Sequence, residues 1–277
     1  FGGGNTALKL LNPISADLDM MRPSLLPNLL EAAKNNLFRG ALNPALFEVG
    51  LQYHDTTPDG QRRIAAGLRV GTHTYYSHGE QFQKHTTPLD AFDAKSDALA
   101  ILQTLGMSKC DVTNDTPAWY HPGRSGALTL GGKIILGYFG EIHPGIARQY
   151  AMEGKPMVAF EIFLDAIPEP RKKTKAKPAL KLSDYQAVSR DFAFIVAENI
   201  SAADIIKTID KADKQLITDV EIFDVYVGKG VESGKKSVAV NVTLQAMDRT
   251  LTDEEINNVA KNIISVAQSG FGGTLRQ

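Results

Sequence analysis

Apolar and polar side chains alternate along several short runs in the first part of the chain, a spacing typical of β-strands. Residues 46–53 and 64–70 form two such runs on either side of a polar turn, which predicts an antiparallel pair. In the first of them Phe47 and Val49 lie on the apolar side. Two shorter runs predict further strands at 110–113 and 157–164.

A glycine pair marks a β-hairpin in the middle of the chain. The apolar-rich runs 125–130 and 133–139 are separated by Gly131 and Gly132. Because both positions tolerate a positive φ, this break is typical of a two-residue hairpin turn. The preceding residues, 120–124, are expected to form a tight loop.

Helices are predicted where apolar residues recur at steps of three and four. The first predicted helix contains the apolar stripe from Leu26 to Leu37. A second helix is expected to begin at Thr87 and Pro88, a capping residue and a first-turn proline, and to end at Gly106. Pro144 is expected to open a short third helix. The buried stripe of the first helix is predicted to comprise Leu26, Leu29, Leu30, Ala33 and Leu37, and that of the second helix Phe92, Leu99, Leu102 and Leu105.

The last third of the chain has a regular order of elements. Thr252 and Glu255 form a capping box that begins its second helix. The order βαββαβ is that of the ferredoxin-like split unit, so we predict an α+β fold in which an antiparallel sheet with helices is followed by a ferredoxin-like domain. The predicted elements are strand 190–196, helix 201–213, strands 217–227 and 236–245, a helix from 253 and strand 271–276.

Prolines and lysines separate the two parts. We predict domains at 1–166 and 184–277, joined by a basic linker over 167–183. The linker is either a solvated, extended connector or a segment that also touches RNA phosphate. Its basic residues are Arg171, Lys172, Lys173, Lys175, Lys177 and Lys181.

Composition narrows the functional classes. With 277 residues, 43% of them hydrophobic, the chain is long enough for two buried cores. A net charge of -1 gives no polybasic field, and the single Cys110 excludes an internal disulfide framework. No apolar run approaches the length of a membrane span, so we expect a cytoplasmic protein. The start at Phe1, without an initiator Met, indicates a fragment of a longer polypeptide.

Metal and nucleotide motifs are missing from the sequence. The histidines lack zinc-site spacing, and no glycine-rich phosphate loop occurs, so we expect no metal site. His121 and Arg124 could together hold a phosphate or carboxylate, or be ordinary turn residues. The six histidines are His54, His73, His78, His85, His121 and His143.

Five ordered segments resemble the β subunits of bacterial phenylalanine-tRNA ligases. They are MRPSLLPNLL at 21–30, FEVG at 47–50, WYHPGRSG at 119–126, LGYFGEIHP at 136–144 and VSRDFAFIV at 188–196. The resemblance implies a class II aminoacyl-tRNA synthetase-like domain followed by a ferredoxin-fold anticodon-binding domain. It also implies an α2β2 heterotetramer with a catalytic α subunit, which joins phenylalanine to tRNA(Phe) using ATP and magnesium.

The same resemblance implies that the class II synthetase-like domain has no catalytic residues of its own. The turn at 59–63 lacks the Arg-x-Glu that active class II chains place over ATP. The run at 157–165 has neither the glycine nor the arginine of an active chain. Both losses remove groups that would stabilise phosphate charge, so we expect the fragment to bind no cofactor and to form no aminoacyl-adenylate.

Contact residues are assigned from the resemblance. The apolar stripe of the first helix alone would fit an intramolecular core equally well. In the last domain ten Lys and Arg stand against fourteen Asp and Glu, which disfavours general RNA adhesion, and each candidate could be a solvated charge. Candidates for the subunit interface are Arg22, Leu25, Asn28, Trp119, His121 and Arg124, and candidates for tRNA contact are Arg190, Tyr226, Lys229, Lys235, Lys236, Arg249 and Arg276.

Two other functions remain open from the sequence. One is a free-standing RNA-binding or regulatory module derived from a synthetase. The other is an enzyme with its own site at His121 and Arg124, which predicts ATP binding by the isolated chain.

Overall fold

The computed structural model describes residues 1–3, 5–77, 83–107, 109–169 and 181–276. It divides into two compact units, Phe1–Thr174 and Lys175–Gln277. Most of the predicted linker, including Arg171 to Lys177, lies outside the described residues, as does His78.

The first unit is built on one antiparallel sheet. The described strands are β1 (Ala45–Tyr53), β2 (Gln61–Val70), β3 (Thr72–Ser77), β4 (Gln83–Pro88), β5 (Asp111–Thr113), β6 (Tyr120–Leu130), β7 (Ile134–Ile142) and β8 (Met157–Phe163). Six of them pair in the order β1-β2-β8-β7-β6-β5, and β3 pairs with β4 in a separate hairpin that the sequence patterns did not reveal. The helices are α1 (Leu26–Phe38), α2 (Ala91–Thr104) and α3 (Pro144–Gln149).

Helices cover both faces of this sheet. Strand β2 shows the division: Ile64, Ala66 and Leu68 pack with α1 and α3, whereas Ala65 packs with α2. Alternate residues of a strand point to opposite faces, so one strand serves two cores. The first unit therefore has three layers.

The glycine-pair hairpin forms, with the three-residue loop 131–133 in place of the predicted two-residue turn, whereas the tight loop predicted before it does not form. Gly131 and Gly132 have φ values of 60° and 69° between β6 and β7. Residues 121–124 lie within β6 as a bulge, because pairing with β7 moves from Tyr120 to Ser125 while its partner moves only from 142 to 140. The predicted tight loop is thus an irregularity of a longer strand.

The predicted start of α2 was wrong. Pro88 is the last residue of β4 and pairs with Thr72, so the helix begins later, at Ala91. Asp90 caps it and forms a capping box with Asp93. Consequently the buried stripe is Ala94, Ala98 and Leu102, and the predicted stripe residues Phe92 and Leu105 are exposed.

The second unit has the predicted βαββαβ order. Its elements are β9 (Val188–Ala197), α4 (Ala202–Asp210), β10 (Ile217–Tyr226), β11 (Lys235–Leu244), α5 (Asp253–Phe271) and β12 (Thr274–Leu275). All pairs are antiparallel in the order β10-β11-β9-β12, and α4 and α5 share one core with the sheet. This is the ferredoxin-like arrangement, so the predicted α+β fold class is confirmed.

The end of the chain differs from the prediction. Phe271 is the last residue of α5 and is buried in the core, rather than the first residue of a strand. Gly272, with a φ of 66°, ends the helix in the left-handed region. Thr274 and Leu275 then pair with β9 as the short strand β12.

Among the residues that the structure describes, no helix has both the length and the apolar character that crossing a membrane requires.

Candidate functional site

A buried carboxylate organises one face of the first unit's sheet. Glu161 on β8 is only 2% exposed and accepts four hydrogen bonds. The donors lie just before α1, on β1, and just before and at the start of β6, far apart in the sequence. They are Ser24 Oγ at 2.9 Å, Gln52 Nε2 at 3.1 Å, Trp119 Nε1 at 3.1 Å and Tyr120 OH at 3.3 Å.

Burial and hydrogen bonding act in opposite directions on this group. Burial raises the pKa of Glu161, and the four donors oppose that rise only in part. The pKa of Tyr120 is raised well above its usual range, mainly because the hydroxyl is buried and also because the Glu161 carboxylate lies beside it. Sequence reasoning missed this cluster, although a lone Glu in the apolar run 157–163 was a signal that a partner set had to exist.

Above Glu161 the sheet face opens into a cavity of about 600 Å³. Gln52 and Glu161 lie on its buried side, and Trp119, Tyr138 and Phe163 form aromatic walls. We call it the Glu161 cavity. Among the described residues no three His, Cys, Asp or Glu side chains come together as they would in a metal site.

The six predicted interface residues do not form one surface. Leu25 is fully buried in the core, so its side chain is not accessible to a partner. The indole nitrogen of Trp119 is hydrogen-bonded to Glu161. Asn28 is exposed on α1. Arg22 is held by Glu48 at 2.6 Å and donates to the carbonyl of Leu51.

His121 and Arg124 are engaged inside the β6 bulge. The Nδ1 atom of His121 accepts a hydrogen bond from the Gly123 backbone at 3.1 Å. The guanidinium of Arg124 pairs with Glu141 on β7 at 2.6 Å. These contacts indicate that both side chains stabilise the bulge rather than form a phosphate site.

An exposed apolar surface appears where the sequence suggested a covered strand. Phe47 and Val49 on the edge strand β1 are 79% and 61% exposed. They border a largely apolar groove of about 610 Å³ between β1 and α2, whose floor includes Ala65, Gly67 and Phe160. We call this surface the β1 groove. Periodicity located the strand but could not tell which faces the helices would cover.

Three predicted tRNA contacts lie together in the second unit. Tyr226 pairs with Ser237 across β10 and β11, and both face away from the helices because the adjacent Val238 is in the core. The guanidinium of Arg276 lies 5.9 Å from the Tyr226 ring centre and donates to Ser237 Oγ at 3.4 Å. The Tyr226 hydroxyl donates to the Lys229 carbonyl at 3.2 Å. We call Tyr226, Lys229 and Arg276 the Tyr226 cluster.

The other predicted tRNA contacts are dispersed and already bonded. Lys235 pairs with Glu232 at 2.8 Å, and Lys236 donates to the carbonyl of Ile200 at 2.7 Å. The Arg249 guanidinium contacts Glu255 and Asp248, and hydrogen bonding to Glu255 raises its pKa. Arg190 donates to the adjacent Ser189 carbonyl.

Comparisons with known proteins agree with this architecture. The family model described as "Phenylalanyl tRNA synthetase beta chain CLM domain" matches residues 2–164, and "Ferredoxin-fold anticodon binding domain" matches residues 183–276. All of the chain aligns with the "Phenylalanine--tRNA ligase beta subunit" of Bartonella henselae at 48% identity and with that of Brucella abortus at 47%. The chain spans 35% of each of these relatives.

Among solved structures, a pyrrolysyl tRNA synthetase from Desulfitobacterium hafniense is similar at 14% identity. The match covers 56% of this chain and 51% of that chain with a TM-score of 0.43.

Proposed function

The chain belongs to the phenylalanyl-tRNA synthetase beta chain family, and from this we propose that it is a non-catalytic part of a phenylalanine-tRNA ligase. In that role it supports a catalytic alpha subunit and binds the anticodon region of tRNA(Phe). We assign residues 1–166 to the synthetase-like part, 167–183 to a linker and 184–277 to the anticodon-binding part.

The Glu161 cluster is the observation that carries the non-catalytic assignment. Four donors on the sheet face bind the chain's own carboxylate. A buried anion at this position repels the phosphates of a nucleotide, where a catalytic site needs groups that stabilise negative charge. ATP and magnesium therefore act, in our proposal, at the catalytic subunit.

The Tyr226 cluster supports RNA contact by the second unit. Unpaired bases stack on aromatic rings and on arginine guanidinium planes, and Tyr226 with Arg276 offers both groups. On the same strand Asp219, Glu221 and Asp224 are exposed and would repel phosphate. Binding is thus confined to a few nucleotides, as expected for one loop of an RNA.

The β1 groove supports contact with the alpha subunit. Monomeric proteins rarely leave an edge strand with exposed apolar side chains, because such an edge invites pairing with another chain. Phe47 and Val49 lie on this edge beside an apolar floor. We place one alpha subunit here, within an α2β2 assembly in the cytoplasm.

Co-expression with a bacterial alpha subunit tests the proposal. We expect the two chains to elute together from a size-exclusion column, and expect Val49→Asp, which puts a charge into the β1 groove, to separate them. The matched control is Val112→Asp, at another exposed valine on the opposite edge strand β5. Association retained in Val49→Asp would show that the alpha subunit does not bind at the β1 groove. No association of the native chain would favour a free-standing RNA-binding module.

A further inference from the structure

The Glu161 cavity has the walls of a site for a planar ring. Trp119 and Phe1 have ring centres 5.7 Å apart, and Tyr138 and Phe163 have ring centres 5.4 Å apart in an edge-to-face arrangement. All four line the cavity. Its volume of about 600 Å³ lies in the range of small-molecule pockets.

Cationic side chains surround the exposed end of the cavity. Arg63 is neutralised by Asp165, with its Nε and Nη2 atoms at 2.9 and 2.8 Å from Oδ1. Within the described parts of the chain, by contrast, neither Arg62 nor Lys133 forms an ion pair. The exposed end therefore carries two cations without ion-pair partners. Asp59 in the cavity lining opposes them, and so does Asp55, whose pKa is lowered mainly by hydrogen bonds from Thr57 and in part by Arg62.

Strand register places Arg62 beside Gln52, on the sheet face that carries the buried groups. Arg62 on β2 is the direct partner of Gln52 on β1, so the two side chains rise from the same sheet face. Tyr138 is likewise the partner of Glu161 across β7 and β8. The positive charge of Arg62 also acts on its neighbour His54, whose pKa is lowered by burial and then by Arg62.

The buried carboxylate does not offer a site for an amine. Each oxygen of Glu161 already accepts two hydrogen bonds, from Ser24 and Gln52 on one side and from Trp119 and Tyr120 on the other. A carboxylate has about four lone-pair directions, and here all are used. An ammonium group entering the cavity would find no free acceptor on Glu161.

We propose that the Glu161 cavity binds a small aromatic carboxylate. The ring lies between the aromatic walls, and the carboxylate faces Arg62 and Lys133 at the exposed end. Two cations suit one carboxylate and are too few to neutralise a triphosphate beside a buried anion. Nothing in the proposed assembly or RNA-binding role requires this ligand.

Trp119 makes the proposal measurable, because it is the chain's only tryptophan and lines the cavity. Phenylacetate titrated into the 277-residue chain is expected to change Trp119 fluorescence saturably. Arg62→Gln should weaken this binding by about tenfold, the effect of losing one charge-assisted hydrogen bond. Arg39→Gln, at an exposed arginine beyond the end of α1 and outside the cavity, should leave it unchanged.

Two further ligands test separately the contact with the carboxylate and the absence of a site for an amine. Benzyl alcohol, which has the ring but no charge, should bind more weakly than phenylacetate and respond little to Arg62→Gln. Phenylalanine should also bind more weakly, because its ammonium group finds no acceptor on Glu161.

Several results would overturn the proposal. They are no saturable response to phenylacetate, equal affinity in the Arg62→Gln variant, or benzyl alcohol or phenylalanine binding as tightly as phenylacetate. None of them would bear on association with an alpha subunit or on RNA binding.

Discussion

The indole nitrogen of Trp119 donates a hydrogen bond to Glu161 Oε2 at 3.1 Å, which joins the turn before β6 to a carboxylate on β8. The indole N–H can only donate, whereas the hydroxyls of Ser24 and Tyr120 can also accept. This contact therefore fixes which oxygen of Glu161 must remain an acceptor. We derive the expected stability and pH response of the first unit from the bonding of this carboxylate.

Truncation of Glu161 should destabilise the first unit strongly. Glu161→Ala leaves four donors without their acceptor, three of them on buried residues, and we expect a loss of about 2–4 kcal/mol in the free energy of unfolding. Glu161→Gln should cost less than half as much, because the side chains of Ser24 and Gln52 can rotate to accept from the new amide. Urea unfolding followed by Trp119 fluorescence measures both.

The control for these variants is Glu153→Ala, at an exposed glutamate with a 3.9 Å ion pair, which should change stability by less than about 0.5 kcal/mol. If Glu161→Ala behaved like Glu153→Ala, the cluster would not stabilise the fold.

Glu161 should also give stability a definite pH dependence. Burial raises its pKa in the folded chain above the ordinary 4.5, so between these two values the folded state binds more protons than the unfolded state. The contribution of Glu161 to the free energy of unfolding therefore falls as the pH rises through that window, and it is constant above the window. Glu161→Gln lacks this response.

Urea titrations between about pH 4 and pH 8 measure the effect as a difference. The free energy of unfolding of the native chain minus that of Glu161→Gln should decrease with rising pH and then level off. An increase with pH would mean that the four donors outweigh burial, and that the folded-state pKa is lowered.

The Tyr226 cluster predicts a specific set of RNA-binding defects. Tyr226→Ala should weaken binding of tRNA(Phe) by about tenfold, since stacking of one base on an aromatic side chain contributes on that order. Tyr226→Phe keeps the ring and should retain most of the affinity. Gel-shift titration of the full chain gives the dissociation constants.

Tyr185→Ala is the matched control, because Tyr185 is half-exposed and its carbonyl accepts from Gln245, at the end of β11 opposite to Ser237. Equal losses for Tyr185→Ala and Tyr226→Ala would remove the reason for placing RNA at the Tyr226 cluster.

Calorimetry with ATP and magnesium should give no binding to the isolated chain. The cavity that would receive a nucleotide has the Glu161 anion on its buried side and only Arg62 and Lys133 as cations without ion-pair partners. The same preparation must still bind tRNA, which shows that the protein is folded. Saturable micromolar ATP binding would contradict the non-catalytic assignment.

Locally determined features of the fold were predictable from the sequence, and those that join distant segments were not. Gly131 and Gly132 fix a turn through their own φ values, and Thr252 with Glu255 caps a helix through contacts three residues apart. Glu161 takes its partners from residues 41 to 137 positions away. No periodicity carries that information.

The sequence patterns also could not predict which side chains of a strand would be covered by helices. Alternation located β1 correctly, but exposure of Phe47 and Val49 depends on how far α2 extends over the sheet. The Tyr226 cluster shows the same limit, because Tyr226, Lys229 and Arg276 became one group only when β12 paired with β9 beside β11.

The most direct test compares tRNA(Phe) with a chimera that carries the same acceptor and elbow but another tRNA's anticodon loop. Gel-shift titration of the 277-residue chain should give clearly weaker binding to the chimera than to tRNA(Phe), and the difference should vanish in Tyr226→Ala. Equal affinity of the native chain for both RNAs would contradict binding of the anticodon region.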